Sequence, residues 1–564
     1  MTDNKKAVSS SSGVTPHKTD NTAHDDENIK CFAALETEDE LVERVLEKHL
    51  SQVNPDVPPN PRQFAGALLT DIRGQYSAHN ACVVREERYR LPQRLTRFCV
   101  AQILMRVYRI VHIIYADDDD FACTNVFGFY CIKGSHRGIY ITATTEIQNL
   151  ARQYDSQISI NDLKEIFQIF SESAPKVYRC NDPDLVAVNN GIFNYRTKQL
   201  LDFTPDLVFT SKSKVDYNPQ AVNVVIHNDD DNTDWNVVDW LNSLSDDPEV
   251  VELLWQILGA LVRCHVRWNK GVFFVSSVGN NGKGTLCELM RGLCGKGSFM
   301  SLPLSEFGKE FSLSPLIGVN AIITDENEFE YLDKVARLKA IITGDPIYAN
   351  RKFLTPITLR FDGFMIQCLN DEAPRFKDKT SSLYRRILAV PFDKCFTGIE
   401  RKYIKSDYVH RKEVLEYVLF RVLNMDYDEL SEPSACLALL DTIKLSNDSV
   451  RQFLDDVLPQ LQWDLVPYSF LYDFYRSWKE RNCPAGTVES KVTFISRVKS
   501  LLAGNKDWQA ERNPVTTGAL MDLPEPLIAK YNLENWYNPL YHGPDETKIG
   551  TPSLKMSYRG IKRR

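Results

Sequence analysis

The stretch Gly271–Ser277 is almost uninterrupted apolar sequence, and it runs straight into Val278-Gly279-Asn280-Asn281-Gly282-Lys283-Gly284-Thr285. Few folds accommodate that succession. A short apolar run bounded by glycines reads as a strand buried on both faces, the setting of a parallel sheet. Parallel strands need long crossovers, so the chain is expected to be α/β, with helices between strands. The Gly/Asn-rich loop then turns into a helix starting near Lys283. Glycines let backbone N–H groups turn inward around an anion, and the helix N-terminus adds partial positive charge. Lys283 is placed to reach the β- and γ-phosphates of a nucleotide. Gly279, Asn280, Asn281, Gly282, Lys283, Gly284 and Thr285 are therefore the expected ATP-binding residues. Two positions depart from the GxxxxGK[ST] pattern: Ser277 stands at the first glycine, and Gly284 stands where a magnesium-binding hydroxyl is usual. Thr285, one place on, is the candidate hydroxyl. The alternative is a Gly-rich strand–helix turn that holds no ligand.

Downstream strands add chemistry to the loop. Asn320–Thr324 is apolar and ends in Asp325-Glu326. At such a strand end Asp325 is expected near a magnesium ion, and Glu326 where it polarises an attacking water. In isolation an Asp-Glu pair is more often a helix cap or an exposed turn. Gly363–Leu369 ends at Asn370, a residue able to hold the lytic water or sense the γ-phosphate, and otherwise a turn former. Arg385 and Arg386 precede the apolar strand Ile387–Phe392. An arginine can neutralise transition-state charge in phosphoryl transfer, whereas the bland reading is a surface ion pair.

Taken in order, these residues resemble superfamily 3 helicases of the phage/plasmid primase group, related to the poxvirus primase-helicase. The match rests on the Gly279–Leu286 loop, Asp325-Glu326, Asn370 with Pro374, and Arg385-Arg386 ahead of Val390-Pro391-Phe392. It also includes Leu338–Asp345 continuing to Arg351-Lys352-Phe353. Softer similarity extends to Asn189–Phe193 through Val215–Pro219, and to Val466–Leu502 with Tyr472, Tyr475 and Trp478. The resemblance covers roughly residues 120–550. It implies an AAA+-like P-loop ATPase core, a mixed α+β N-terminal region and a C-terminal winged-helix domain. It further implies ATP and Mg2+ as cofactors, with Thr285 and Asp325 on the metal, and a homo-oligomeric ring, a hexamer or similar, acting on DNA. Lys283, Asp325, Glu326, Asn370, Arg385 and Arg386 are then the catalytic set. Lys339, Arg351, Lys352 and Phe353 belong to a hairpin segment gripping single-stranded DNA in the ring channel. Among the motif residues none supplies a positive charge opposite Lys283, so Arg385, ahead of Arg386, is expected to reach a neighbouring subunit's nucleotide.

The chain's 564 residues suit about three or four domains of ~150 residues each. The expected divisions are a disordered polar tail over 1–30, an N-terminal α+β region over 31–234, and an ATPase domain with a preceding helical collar over 235–400. A helical connector over 401–450 and a winged-helix-like DNA-binding region with a basic tail over 451–564 complete the chain. Net charge is −8, so DNA contacts must be local. One such candidate is the end of the chain, Lys555–Arg564, with five basic residues and no acid; a solvated tail is the alternative. The 13 cysteines form no CxxC pair and point to a reduced, cytoplasmic chain without structural zinc. Phe98–Ala116 carries Gln102, Arg106 and Arg109, so it reads as a buried amphipathic helix and not as a membrane span. Val126–Thr142 reads as a hairpin around Lys133-Gly134-Ser135, and His227–Asp234 as a solvated acidic linker. Two further functions stay open. The acidic run Asp117–Asp120 permits a bifunctional primase-helicase, and the C-terminal region permits a sequence-specific replication initiator.

Overall fold

The computed structural model describes residues 36–115, 126–309, 311–327, 331–332, 335–351, 354–370, 375–376, 381–482 and 488–564. The expectations for the tail 1–30, for Asp117–Asp120, and for Lys352, Phe353 and Pro374 fall outside these. The chain divides into two compact units, one of residues up to Gln52 with Gln63–Leu95, the other of Val53–Arg62 with Thr96–Arg564. In the first, helix α1 (Glu38–Ser51) starts at a capping box in which Thr37 and Glu40 satisfy each other's backbone N–H groups. Leu41, Val42, Val45 and Leu46 recur at helical spacing and are buried, as are Leu68, Ile72 and Tyr76 of α2 (Pro61–Cys82).

In the second unit, α3 (Arg97–Val107) is the helix expected from Phe98, but it stops nine residues short of Ala116. Arg109 takes φ 51°, and the β-branched run that follows becomes β1 (Val111–Ile114). The amphipathic reading missed this turn because Ile110–Ile114 is apolar in either conformation, and β-branching decides for a strand. The expected hairpin forms: β2 (Phe127–Tyr130) pairs antiparallel with β3 (Tyr140–Ile141) and with β1. After α4 (Thr144–Tyr154) and α5 (Ile160–Ser173), β4 (Lys176–Tyr178) joins β1 in parallel. A three-stranded meander follows, β5 (Leu185–Ala187), β6 (Ile192–Asn194) and β7 (Gln199–Leu201). The acidic stretch His227–Asp234 is not a linker. It is the tip of a hairpin, β8 (Ile226–Asn228) with β9 (Thr233–Trp235), in which His227 pairs with Asp234 and Asn232 turns at φ 50°. Ile226 and Trp235, buried at its base, hold the charged tip against the core.

Helices α6 (Val237–Asn242) and α7 (Pro248–Val262) come next; α7 buries nearly its whole circumference, as an interior helix must. The apolar strands then form one parallel sheet of order β11-β12-β16-β10-β18. Its members are β10 (Gly271–Ser276), β11 (Phe299–Met300), β12 (Ala321–Thr324), β16 (Phe364–Asn370) and β18 (Ile387–Pro391). This is the α/β core the sequence foretells. Alternate residues face alternate cores. Val272, Phe274, Ile323 and Ile366 pack with α7 and with α8 (Lys283–Cys294), whereas Phe273, Ile322, Met365 and Leu369 face the other side. That second core holds α9 (Val335–Thr343) and the hairpin β14 (Ile347–Arg351) with β15 (Leu354–Leu359). The first core also takes in Val186, Phe193, Tyr217 and Trp235, so packing runs across the boundary expected at 234/235.

Strands β13 (Tyr331–Leu332) and β17 (Arg375–Phe376) pair beside the sheet, and α10 (Ser381–Tyr384) leads into β18. Helices α11 (Lys402–Ser406), α12 (Lys412–Leu423) and α13 (Ser434–Asn447) follow. Residues 450–561 share a separate hydrophobic core. It joins α14 (Ser449–Val457), α15 (Tyr468–Asn482) and α16 (Lys491–Leu502) to a sheet of order β19-β23-β20. The aromatics of α15 are core residues: Phe470, Phe474, Tyr475 and Trp478 are all buried. The end of the chain is not a solvated basic tail. After the short pair β21 (Val515–Thr516) with β22 (Ser557–Tyr558), it is β23 (Gly560–Arg563), the middle strand between β19 (Leu465–Pro467) and β20 (Trp508–Ala510). Ile561 is fully buried, and Arg563 pairs with Asp464 and lies over Trp508. No helix among the described residues is long and apolar enough to cross a membrane.

Candidate active site

The loop Ser277–Gly282 lies where β10 gives way to α8, at the C-terminal edge of the parallel sheet, the side on which open α/β sheets bind ligands. Its shape is built by side chains. Asn281 is buried; its amide donates to Ser276 Oγ at 2.8 Å and its Oδ1 accepts from the backbone N–H of Lys283 at 3.2 Å. Asn280 takes φ 52° and donates to Glu400 at 2.7 Å, while its carbonyl accepts from Phe396 N–H. The segment after β18 thus clasps the loop. Gly282 must be glycine twice over: φ is 88°, and a Cβ there would meet Leu244 at 2.5 Å. Gly282 caps α8 without a side-chain hydrogen bond, so beyond the Lys283 N–H, which Asn281 accepts, the N–H groups of the first turn have no side-chain cap.

Lys283, on the first turn of α8, is 4% exposed. Its Nζ donates to the Leu369 carbonyl at 2.7 Å, and burial pushes its pKa below the ordinary lysine value. Leu369 precedes Asn370 at the end of β16, the strand beside β10, so the ammonium rests against the end of the neighbouring strand. One cavity of about 500 Å³ is lined by Ser276–Thr285, Asp325, Glu326 and Asn370. The structure therefore brings together the loop, Lys283, both acids and Asn370. Parallel register contributes: β10 and β16 end level, with Ser276 opposite Asn370, whereas β12 ends at Thr324 opposite Gln367, so Asp325 and Glu326 follow on toward the same edge.

Three side chains escaped the sequence reading. Arg291, two turns along α8, forms a bidentate pair with Asp325 at 2.6 and 2.8 Å and also holds Glu288 at 2.7 Å. Burial works against its charge, but the two carboxylates raise its pKa well above the ordinary value. Asp325, expected on a magnesium ion, is thus engaged by an arginine, and among the described residues no cluster of three or more His, Cys, Asp or Glu has metal-holding geometry. Asn327 ties the loop after β12 to β16 through Gln367 and the Cys368 carbonyl, both at 3.0 Å. Lys405, on α11, lines the cavity itself. The motif residues are expected to supply no further positive charge there, and Lys405, outside every motif, brings one from the same chain. Its only sequence cue is the basic run around Arg401-Lys402, far from any recognised motif.

Arg385 and Arg386 do not line this cavity. Arg385 is exposed at the start of β18, and Arg386 donates to the Ser382 carbonyl. Lys339 lies on α9, 3.4 Å from Ser382 Oγ, and Arg351 lies half-buried at the tip end of β14, its pKa lowered by burial. Lys339 and Arg386 thus meet at Ser382, away from the cavity, and Arg351 does not line the cavity either.

An α/β protein whose parallel sheet carries a glycine-rich loop, a buried lysine and paired acids is the class that fold and site define. Family models match three stretches within it. Residues 140–246 match "D5 N terminal like", residues 274–386 match a family of unknown function, DUF5906, and residues 445–533 match "Poxvirus D5 protein-like". No curated protein matches the chain. Among solved structures, an apo A form of the NrS-1 C-terminal region is similar with a TM-score of 0.37 at 14% identity, over 72% of this chain and 86% of that one. A second A-form structure, of residues 305–718 of that region, gives 0.41 at 13%, over 75% and 96%.

Proposed function

We propose that the chain hydrolyses ATP to drive movement along DNA, as a replicative helicase of the superfamily 3 type. The observation that carries this reading is the convergence of Lys283, Asp325, Glu326 and Asn370 in one cavity beneath the loop. Backbone N–H groups of the loop and helix α8 bind the phosphates, and Lys283 exchanges its Leu369 carbonyl for phosphate oxygens. Glu326, exposed at the strand end, accepts a proton from the attacking water, and Asn370 orients that water. Magnesium, when bound with the nucleotide, neutralises phosphate charge. The protein side offers Thr285 and Asp325, and Asp325 must release part of its hold on Arg291 to serve. Such a site, in which phosphates and water supply most ligands, suits magnesium. An adjoining cavity holding Trp240 and Phe396 takes the base. DNA is held by the β14–β15 hairpin, and the region 445–564 acts as the winged-helix module.

The D5-type matches on both sides of the ATPase segment support a bifunctional primase-helicase equally well. A primer-synthesis assay on single-stranded template separates the two readings. The test of the shared core is ATP turnover with and without single-stranded DNA, together with native mass. Turnover stimulated by DNA in a ring-sized assembly supports the proposal; absence of turnover in the wild-type chain refutes it.

A further inference from the structure

Position 284 departs from the usual phosphate-loop pattern, and the structure supplies a reason. A Cβ built on Gly284 would lie 3.1 Å from the ammonium nitrogen of Lys405 and 4.0 Å from its Cε. A Ser or Thr side chain at 284 would therefore crowd the cation reaching in from α11 and push it from its place. Lys405 lines both the loop cavity and the adjoining cavity with Trp240 and Phe396, so it stands where the two meet. It forms no ion pair among the described residues. Of the acids that share its two cavities, Asp325 is held by Arg291, Asp239 by Asn236 and Asp234 by His227, and Glu326 stands exposed at the far strand end. Asp231 accepts from Thr233 and Tyr403 and faces Arg401, and Glu400 accepts from Asn280 and the Gly398 N–H. An exposed, unpaired ammonium aimed into a concave, N–H-lined site faces the place where an anion is bound.

We infer that Lys405 is a second phosphate-binding cation, supplied by the same chain, and that Gly284 is glycine to make room for it. The inference rests on the proposed nucleotide site and adds to it. Where the common pattern places a hydroxyl that holds magnesium, this chain places a positive charge. Part of the phosphate charge is then neutralised without metal, so nucleotide binding depends less on magnesium than a Ser or Thr at 284 would make it.

The test is ADP affinity, measured by calorimetry on the full chain with magnesium and with chelator, for wild type, Lys405→Ala, Lys405→Arg, Gly284→Ser and Lys283→Ala. In chelator, Lys405→Ala should bind ADP about tenfold more weakly than wild type, the scale of a lost charge-assisted hydrogen bond. With magnesium the loss should be smaller, and Lys405→Arg should retain most of the affinity. Gly284→Ser should show a similar loss in chelator, and adding Lys405→Ala to it should cost little more. Lys405 is exposed, so melting temperatures should not change. If Lys405→Ala matches wild type in both conditions while Lys283→Ala abolishes binding, the inference fails and the nucleotide site stands. If wild type binds no ADP, both fall.

Discussion

The Lys283 amine donates to the Leu369 carbonyl, and in the proposed function it would exchange that acceptor for phosphate. Lys283→Ala should therefore abolish ATP turnover and also leave a buried carbonyl without its donor, costing about 1–3 kcal/mol of stability. ATPase within twofold of wild type would refute the first part, and an unchanged denaturation midpoint the second. The acids divide by geometry. Glu326 is exposed at the cavity, so Glu326→Gln should bind ATP and hydrolyse it slowly. Asp325 is held in a bidentate pair by Arg291, so Asp325→Asn should lower magnesium-dependent binding and loosen α8 against β12. Identical nucleotide affinities in the two variants would remove that division of roles. Asp325, Glu326 and Asn370 were legible in the sequence because they lie at the ends of apolar strands, and Lys283 because it closes the Gly/Asn-rich loop that follows one. Arg291 and Lys405 were not, since they reach the site from helices whose orientation no local pattern records.

Among the elements, the buried parallel strands were readable because a continuous apolar run bounded by glycine or polar residues has few other uses. The end of the chain was misread for the converse reason. Strand β23 is polar and basic, and its partners, Leu465–Pro467 and Trp508–Ala510, lie far away in sequence. The acidic hairpin β8–β9 was hidden likewise, since only its two basal residues are buried. If β23 is the middle strand, its loss must open a core. Ile561→Ala should cost about 2–5 kcal/mol, the range for a fully buried Ile. Gly560→Ala should also destabilise, because its Cβ would lie 2.0 Å from the Val466 carbonyl. Both are measured by chemical denaturation; a midpoint like wild type's in both would mean that the strand does not form in solution.

For the whole molecule, the open question is what a second copy adds. Arg385 is exposed and does not line its own chain's cavity, while Lys405 already supplies one cation there. Arg385 in trans would be an addition to the site and not its only counter-charge. Arg385→Ala should retain ATP binding and lose hydrolysis. Mixed with Lys283→Ala subunits it should regain some, since one interface then pairs an intact loop with an intact arginine. Mixed assemblies must first be confirmed by native mass. Confirmed mixtures no more active than either parent would count against a shared interface, and full activity of Arg385→Ala alone would remove Arg385 from the chemistry.

Strand β16 lies in the middle of the five-stranded sheet, bonded to β12 on one side and β10 on the other. The protons on its amides are therefore a clock. No fraying of an edge releases them, so they trade with deuterium only when the sheet itself comes apart, and their slowest exchange reads the free energy of that event. Amides of Phe364–Leu369 should be the last in the sheet to exchange, after those of the edge strands β11 and β18. Exchange of β16 as fast as β18 would show that the sheet opens from its middle. The strand that ends in Asn370 and carries the Leu369 carbonyl holding Lys283 is then the one whose position lasts longest.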